Sequence, residues 1–274
     1  MRRSAHLLIC IFLISNLSLF AQGWRAGTPN LMEYDWQRFR FGFSLGIDMV
    51  SANLKTKSNY EHPVNISPDN PILEIYSKST PAFNVGIIAN MRLGEYFDLR
   101  FIPGFSIAHD IDLYYRFTDK IFDPNPSRGN VWTDLILRKI ECHYINLPLF
   151  VKFKSSRMHN ARIYVLAGGQ VSLNMMSAKN NKIRILDPNG VKAEVIPIIK
   201  PYDVQVKGGF GFDFYTAYFK FTTEFKVSYG VIELLENEKG IRDKTNIEFY
   251  KKSPIVTGIQ SLKSKTFTIS FIFE

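Results

Sequence analysis

Side chains capable of catalytic or metal chemistry are few in this chain and widely spaced. The histidines show no H-E-x-x-H or paired-ligand spacing: His6, His62, His109, His143 and His159. His109 and His143 could meet at the outer rim of two predicted strands, but two imidazoles fall short of a zinc ligand set. No G-x-S-x-G motif marks a serine nucleophile. We therefore expect no catalytic site, no metal, no cofactor and no small-molecule substrate.

Two further features have both a chemical and a structural reading. Gly208-Gly209-Phe210-Gly211 is similar to a phosphate-binding loop, but it lies inside an alternating strand pattern and no helix follows it. Small residues that relieve crowding are the favoured interpretation. Cys142 could be a small apolar filler or could form an intermolecular bridge, and both readings stay open.

The N-terminus has the three parts of a secretory signal. Arg2 and Arg3 form a basic region, Leu7 to Phe20 is an apolar stretch too short to span a membrane as a helix, and cleavage after Ala21 fits. The predicted organisation is a signal peptide at 1–21, a periplasmic N-terminal segment at 22–37 and a barrel at 38–274. Cleavage of the signal peptide would remove Cys10, so the expected mature chain has one cysteine and no internal disulfide.

Charge and hydropathy narrow the class of protein. The net charge is +9, and it becomes +7 when the signal peptide with Arg2 and Arg3 is removed. For an exported chain, this positive charge favours binding to anionic lipid or to an acidic partner over binding to nucleic acid. No run of eighteen apolar residues follows residue 21, so a helical membrane protein is excluded.

The strongest pattern in the chain is a period of two. Apolar residues occupy every second position from Phe39 to Met49, with small or polar residues between them. Seven more segments alternate in a related way: 83–91, 97–107, 140–153, 163–173, 204–214, 219–227 and 267–273. The register of the segment at 140–153 is the least certain of the eight, and Pro103 predicts a bulge in the segment at 97–107.

The connections between these segments alternate between short turns and stretches of about thirty residues. That arrangement is typical of an eight-stranded antiparallel up-and-down transmembrane β-barrel of the outer membrane, with long extracellular loops and short periplasmic turns. Tyr96, Tyr215 and Tyr218 lie beside the short turns, where an aromatic girdle is expected. The alternative is a soluble calyx or a sandwich in which the large residues point inward.

The two faces of the predicted strands differ in chemistry. Residues predicted to face lipid are Phe39, Phe41, Phe43, Phe210, Phe212, Phe219, Phe221, Phe267 and Phe271. A charge network is predicted inside the barrel from Asp98, Arg100, Lys207, Asp213, Lys220, Glu224 and Lys226. Asp213 and Glu224 could form a carboxylate pair, but Lys220 and Lys226 are close enough in sequence to neutralise them. Eight strands leave only enough room for side chains, so we expect a plugged lumen.

Several strings of the sequence resemble the PorT family. They are Asn30-Leu31 with Tyr34-Asp35, the segments 40–46 and 90–104, Ile145-Asn146-Leu147-Pro148-Leu149, the segment 209–215, and Leu262-Lys263-Ser264-Lys265 through Phe273-Glu274. The string centred on Leu93-Gly94-Glu95-Tyr96 is the most specific of them. The resemblance implies an outer-membrane barrel of the type IX secretion system, which exports folded proteins and in some bacteria serves gliding. It brings no catalytic residues.

Three hypotheses about function follow. The leading one is a non-enzymatic accessory barrel of type IX secretion that contacts other secretion proteins. The second is a structural or adhesive barrel whose loops bind host or cell-surface partners. The third is an enzyme acting on lipid or protein at the outer leaflet, which would need serine, histidine and a carboxylate to converge at the rim.

Overall fold

The computed structural model describes most of the region predicted to form the barrel. The described residues are 28–56, 72–123, 131–177, 184–185, 193–194, 197–236, 241, 256 and 258–274. The predicted signal peptide at 1–21 lies outside them. Among these residues, no helix combines the length and the apolar character needed to cross a membrane.

Nearly all regular structure in the described residues is β-strand. The strands are β1 (Phe39–Thr56), β2 (Ile72–Lys78), β3 (Thr80–Arg92), β4 (Phe97–Phe101), β5 (Gly104–Ile107), β6 (Ile111–Asp123), β7 (Val131–Ile140), β8 (Tyr144–Lys154), β9 (Ala161–Asn174), β10 (Arg184–Ile185), β11 (Ala193–Glu194), β12 (Tyr202–Tyr215), β13 (Lys220–Gly230) and β14 (Ile259–Phe273). A single turn of 3-10 helix, Met32–Trp36, precedes β1.

The main sheet closes on itself. Its order is β1-β14-β13-β12-β9-β8-β4-β3, and β3 pairs with β1, so each strand has a neighbour on both sides. β5 continues β4 past Pro103 and also lies between β3 and β8. All of these pairings are antiparallel, and β4 with β5 count as one broken strand. The ring therefore has eight strands, which confirms the predicted number and their up-and-down order.

The break between β4 and β5 occurs at Ile102 and Pro103, where the sequence predicts a bulge. Proline has no backbone N–H to donate to a neighbouring strand. The wall stays continuous because the Pro103 carbonyl accepts from the Ile87 amide at 2.9 Å, and the Ile102 amide donates to Pro148 at 3.2 Å. A local interruption is thus accommodated without opening the barrel.

A second sheet, absent from the strand pattern predicted from the sequence, lies at the end of the barrel that bears the long connections. It has the order β2-β6-β7, and a two-stranded pairing joins β10 to β11. Its inward residues and the upper ends of β1, β3 and β14 enclose one apolar cluster, here called the apolar cap: Val50, Ile72, Ile75, Ala82, Ile111, Leu113, Tyr115, Phe117, Ile136, Ile140, Cys142, Tyr144, Ile199, Leu234, Ile259 and Leu262. β1 and β14 are longer than predicted: β1 continues to Thr56, and β14 begins at Ile259. Their added residues lie beyond the predicted membrane spans, where the apolar cap packs against them.

Candidate functional site

The outer face of the barrel is aromatic and aliphatic. Seven of the nine phenylalanines predicted to face lipid are exposed: Phe39, Phe41, Phe43, Phe210, Phe219, Phe267 and Phe271. The other two, Phe212 and Phe221, point the same way but are half-buried by neighbouring rings. Phe221 stacks on Phe271 with centroids 6.3 Å apart, and Phe212 packs edge-on against Phe210. An apolar outer face with a polar inner face is the opposite of a soluble calyx.

Alternate residues of the same strands point into the lumen and bring charges together. Glu224 on β13 is fully buried and receives hydrogen bonds from Arg100, Tyr164 and Lys226, the last at 2.7 Å. Arg100 on β4 also donates to the Asn90 side chain at 2.7 Å and lies 3.4 Å from the carboxylate of Glu274. These contacts join four strands across the barrel, so the centre of the lumen is occupied by side chains.

A second carboxylate group lies beside this cluster. Asp213 on β12 accepts from Lys152 at 2.9 Å and from Thr222 at 2.6 Å. The Lys152 ammonium also lies 3.4 Å from the centroid of the Tyr164 ring. Asp213 and Glu224 therefore each bind their own cation, and the structure does not bring them together as a carboxylate pair.

Lys220 has one carboxylate partner that the sequence did not indicate. Its ammonium forms an ion pair with Glu274, the residue after β14, and it also interacts electrostatically with Asp213, one of the two carboxylates that it was predicted to neutralise. Residues four apart along a strand, such as Lys220 and Glu224, are separated by about 13 Å, beyond the reach of one ion pair. Lys226 is only two residues from Glu224 and does pair with it, as predicted.

Sequence reasoning missed several charged members of the lumen. Arg40 donates to Asp98 at 2.6 Å, and Lys154 donates to the same carboxylate at 2.7 Å. Lys152 and Glu274 complete the clusters described above. The side chains of these four residues are buried, and they occupy inward positions of β1 and β8 and the position after β14: Arg40, Lys152, Lys154 and Glu274. Strict application of the period-two pattern to β1, β8 and the end of β14 would have found them.

The glycines of the phosphate-loop-like stretch explain how large side chains fit inside. A Cβ on Gly211 would lie 2.4 Å from the Tyr164 hydroxyl, and one on Gly209 would lie 2.2 Å from the Phe225 carbonyl oxygen. Both glycines take inward positions of β12, where Tyr164 and Lys226 need space. The stretch is part of a strand, so it relieves crowding in the lumen rather than forming a loop.

The remaining residue of the predicted network, Lys207, faces a small internal cavity. The cavity has a volume of about 50 Å³ and is also lined by Asp48, Asn84, Asn146 and Gln170. Asp48 accepts from the Asn84 side chain at 2.8 Å and from the Thr268 hydroxyl. Within the described residues, no carboxylate lies within ion-pair distance of Lys207, so this lysine is the member of the predicted set that the charge clusters do not include.

Above the cavity, the apolar cap closes the end of the barrel that bears the long connections. Cys142 is fully buried there, and burial raises the pKa of its thiol to about 12. His143 accepts a hydrogen bond at Nδ1 from the Ala108 amide at 3.4 Å, while the His109 ring packs edge-on against Tyr144. The two histidines are thus close together, but in the described part of the chain no group of three or more His, Cys, Asp or Glu residues could hold a metal ion.

The opposite end, with the short turns, is covered by the segment that precedes β1. Asp35 of the 3-10 helix binds Arg162 through both carboxylate oxygens, at 2.9 and 3.0 Å, and accepts from the Tyr215 hydroxyl at 2.9 Å. The Asn30 amide donates to the Asn160 side chain at 2.9 Å. Burial favours the protonated form of Asp35, but Arg162 and the hydrogen bonds outweigh it and lower the pKa of Asp35.

This packing corrects one prediction about the aromatic girdle. Tyr96 and Tyr218 are exposed beside their turns, in the places that an aromatic girdle would occupy. Tyr215 is buried instead, because it sits at an inward position of β12 and bonds Asp35. Its ring is also covered by the guanidinium of Arg157, 3.7 Å from the centroid. Tyr215 therefore fixes the N-terminal segment to the barrel.

Taken from one end to the other, the described barrel is filled: a folded N-terminal segment, two charge clusters, a small polar cavity and an apolar cap. Inside the barrel, the side chains of Arg100, Tyr164, Phe150, Lys152 and Lys220 have almost no accessible surface. An interior of this kind suits a rigid scaffold that presents its two ends.

Comparison with known proteins gives the family. Residues 20–236 match the family described as outer membrane protein beta-barrel domain. A search of the curated proteins found no matching relative. Ten chains among the solved structures match; one of them, the crystal structure of Neisserial surface protein A (NspA), has a TM-score of 0.37 and 9% sequence identity, over 86% of this chain and 98% of that chain. Because the matched residues 20–236 cover most of the chain, the chain belongs to the outer membrane protein beta-barrel domain family, which confirms the predicted barrel of the outer membrane.

Proposed function

We propose that this protein is a non-enzymatic component or accessory factor of type IX protein secretion that acts through protein–protein contacts. The proposal joins the resemblance of its strand and turn strings to the PorT family with its membership of an outer-membrane barrel family. The signal peptide expected at 1–21 and the barrel at 38–274 fit the same proposal, with lipid against the phenylalanine face.

The observation that carries the proposal is the filled lumen. Arg100 and Glu224 meet at the centre of the barrel with fully buried side chains, and Tyr164 packs against both. Eight strands give no more room than these side chains use. A folded cargo protein cannot pass through such a barrel, so a role in export must rest on what its ends bind.

Both ends offer ordered surfaces for such contacts. The short-turn end carries the fixed segment around Asp35, and the long-connection end carries the β2-β6-β7 sheet over the apolar cap. A rigid surface loses little conformational entropy when a partner binds, which favours stable assembly.

An in-frame deletion tests the secretion role. We expect proteins that carry the type IX sorting domain to accumulate in the periplasm of the deletion strain and to return to the surface when the gene is supplied again. Total outer-membrane protein should be unchanged, which separates a secretion defect from general envelope damage. Normal delivery of cargo to the surface of the deletion strain would overturn the proposal.

A second candidate, adhesion through the long-connection end, has one specific observation in its favour. Tyr76 and Tyr114 stack on the outer face of the small sheet with centroids 5.2 Å apart and remain half exposed. Paired tyrosines of this kind are common in binding surfaces. A double Tyr76→Ser, Tyr114→Ser variant should then lose cell-surface binding while secretion stays intact, whereas unchanged binding would remove this candidate.

A further inference from the structure

A groove at the short-turn end stands apart from the filled lumen. It has a volume of about 410 Å³ and lies between the 3-10 helix and the mouth of the barrel, and we call it the vestibule. Trp36 and Met32 form its helix side, where they are 74% and 61% exposed. Arg92, Lys154 and Arg162 form its barrel side.

The charges of the vestibule do not balance. Four cations line it, Arg92, Lys154, Arg157 and Arg162, against the carboxylates of Asp35 and Glu95. Asp35 forms ion pairs with two of the arginines, since Arg157 lies 3.4 Å from the carboxylate oxygen that Arg162 also contacts. Lys154 is held by Asp98, which Arg40 shares. The lining keeps an excess of positive charge.

Arg92 is the cation in this lining that a ligand could reach. Its Nε donates to the Gly94 carbonyl at 3.1 Å, and its guanidinium lies over the Trp36 ring, 4.8 Å from the centroid. No carboxylate of the described residues lies within ion-pair distance of it, Glu95 included. With Nε bound to Gly94, the two terminal nitrogens keep N–H groups in the plane of the guanidinium, and this pair is the fork that binds a carboxylate through two hydrogen bonds.

The position of these residues favours a ligand from the periplasm over one from the membrane. Lys154 and Arg162 are buried at inward positions of β8 and β9, and Arg92 continues the inward phase of Asn90 on β3. Lipid headgroups meet the outward face, on which Phe97 and Phe153 lie. The exposed Trp36 and Met32 next to the cations supply apolar contact for a neighbouring side chain.

We propose that the vestibule binds an acidic peptide segment of a periplasmic protein, with one carboxylate on Arg92 and an adjacent apolar side chain on Trp36. The inference deepens the proposed function, on which its biological meaning rests, because it names the kind of contact made at the periplasmic end. The volume accommodates two or three side chains, so the recognised segment is short.

The probe is a fluorescein-labelled peptide with the core Glu-Leu-Glu-Leu, and the matched control peptide has the core Gln-Leu-Gln-Leu. Binding is measured by fluorescence anisotropy to the full mature protein in nanodiscs of phosphatidylcholine. We expect the glutamate peptide to bind at least about tenfold more tightly than the glutamine peptide. Its affinity should fall as salt rises from about 50 to about 500 mM, since the contact is exposed to screening.

Substitutions of two arginines near the same rim locate the site. Arg92→Gln should weaken binding of the glutamate peptide about tenfold, and Arg92→Lys should weaken it less because the charge is kept without the fork. Arg38→Gln is the matched control: Arg38 also stacks on an aromatic ring, that of Phe39, but it lies outside the vestibule. The affinity of the Arg38→Gln variant for the glutamate peptide should not change.

Three results would overturn the inference: equal binding of the two peptides, unchanged binding by the Arg92→Gln variant, or equal loss in the Arg38→Gln variant. Binding of glycerophosphoglycerol, measured by titration calorimetry, with no binding of either peptide would also overturn the inference and assign the vestibule to an anionic lipid headgroup. If purified protein binds the peptide through Arg92 but a strain that carries Arg92→Gln secretes cargo normally, the binding site is supported and only its role in secretion is contradicted.

Discussion

Replacing Glu224 with glutamine is the most informative single change inside the barrel. The carboxylate is fully buried and accepts from Arg100, Lys226 and Tyr164. Glutamine has the same shape, but it carries no charge and turns one acceptor oxygen into an NH₂ donor. That donor would face the Lys226 ammonium or the Arg100 guanidinium, so at least one buried cation loses its acceptor.

The size of the effect follows from the partners that remain. Arg100 keeps Glu274 at 3.4 Å and the Asn90 side chain, so it stays partly satisfied. Lys226 keeps no other carboxylate within ion-pair distance among the described residues. Removing one partner of a buried ion pair costs about 3–5 kcal/mol, because an uncompensated charge is left behind. We expect a loss near the lower end of that range, about 3 kcal/mol in the free energy of unfolding.

The assay is urea unfolding of the protein in phosphatidylcholine vesicles, followed by circular dichroism and by the gel mobility of the folded barrel. Glu74→Gln is the matched control, since Glu74 pairs with Arg116 at 3.6 Å while both side chains are about half exposed. An exposed pair contributes about 0–1 kcal/mol. A double variant, Glu224→Leu with Arg100→Met, should lose less than the two single variants together, because both charges are removed.

Equal stability of the Glu224→Gln and Glu74→Gln variants would refute the reasoning. It would show that water reaches the centre of the lumen and screens Arg100 as it screens the surface pair. Strict additivity in the double variant would point the same way, since it would mean that the two buried groups do not interact.

Three more predictions follow from the two ends and the interior. In planar bilayers the protein should give no single-channel steps, because Arg100, Tyr164 and Lys152 fill the lumen, and regular steps would contradict the filled lumen. The Cys142 thiol should resist N-ethylmaleimide in folded protein at pH 8 and react after unfolding, because burial raises its pKa to about 12; reaction in folded protein would show that the apolar cap opens. The pKa of Asp35 is lowered in the folded state, so its contribution to holding the N-terminal segment is complete above the ordinary value of 3.8 and is lost as pH falls through the folded-state pKa. Trp36 fluorescence should therefore change in acid, Asp35→Asn should show the change already at pH 7, and identical acid profiles for the two proteins would exclude this role of Asp35.

The barrel was predictable because its outer face carries large apolar residues along every strand and its inner face carries small or polar ones. From Phe39 to Met49 the large residues occupy one face and the small or polar residues the other, and a shift of one residue would exchange them. This constraint fixed the register of β1 against β14 and β3, where Met49 lies opposite Phe267 and Pro81. It also explains why the doubtful register at 140–153 resolves into regular alternation once β8 begins at Tyr144.

The small sheet was missed although its signal is present. Ile111, Leu113, Tyr115 and Phe117 alternate with polar residues and Tyr114, and they are buried in the apolar cap. The length of the connection between two predicted membrane strands led to the prediction of a loop there. A short strand that lies above the membrane has a mixed polar and apolar sequence that is similar to that of a loop. The position of a strand relative to the bilayer is not encoded in its period.

Partners inside the lumen could not be read from the sequence. The sequence predicts Lys220 and Lys226 as partners of Asp213 and Glu224, but it does not reveal the ion pair between Lys220 and Glu274, the residue after β14. Which inward side chains meet depends on strand order and stagger, and these follow from closure of the whole ring. The role of Asp35 escaped notice for the same reason, since its partners Arg162 and Tyr215 lie more than a hundred residues away.

The direct test of the central claim is to measure what surrounds each face of β1. Nitroxide labels on single cysteines at Phe43, Leu45, Ile47 and Met49, in vesicles, report accessibility to oxygen, which enters the bilayer, and to a water-soluble nickel chelate, which does not. The account predicts high oxygen accessibility and almost no nickel accessibility at all four positions, with the reverse at the exposed upper residue Lys55. Ready access of the nickel chelate to the four outward positions would place them in water and would contradict the account.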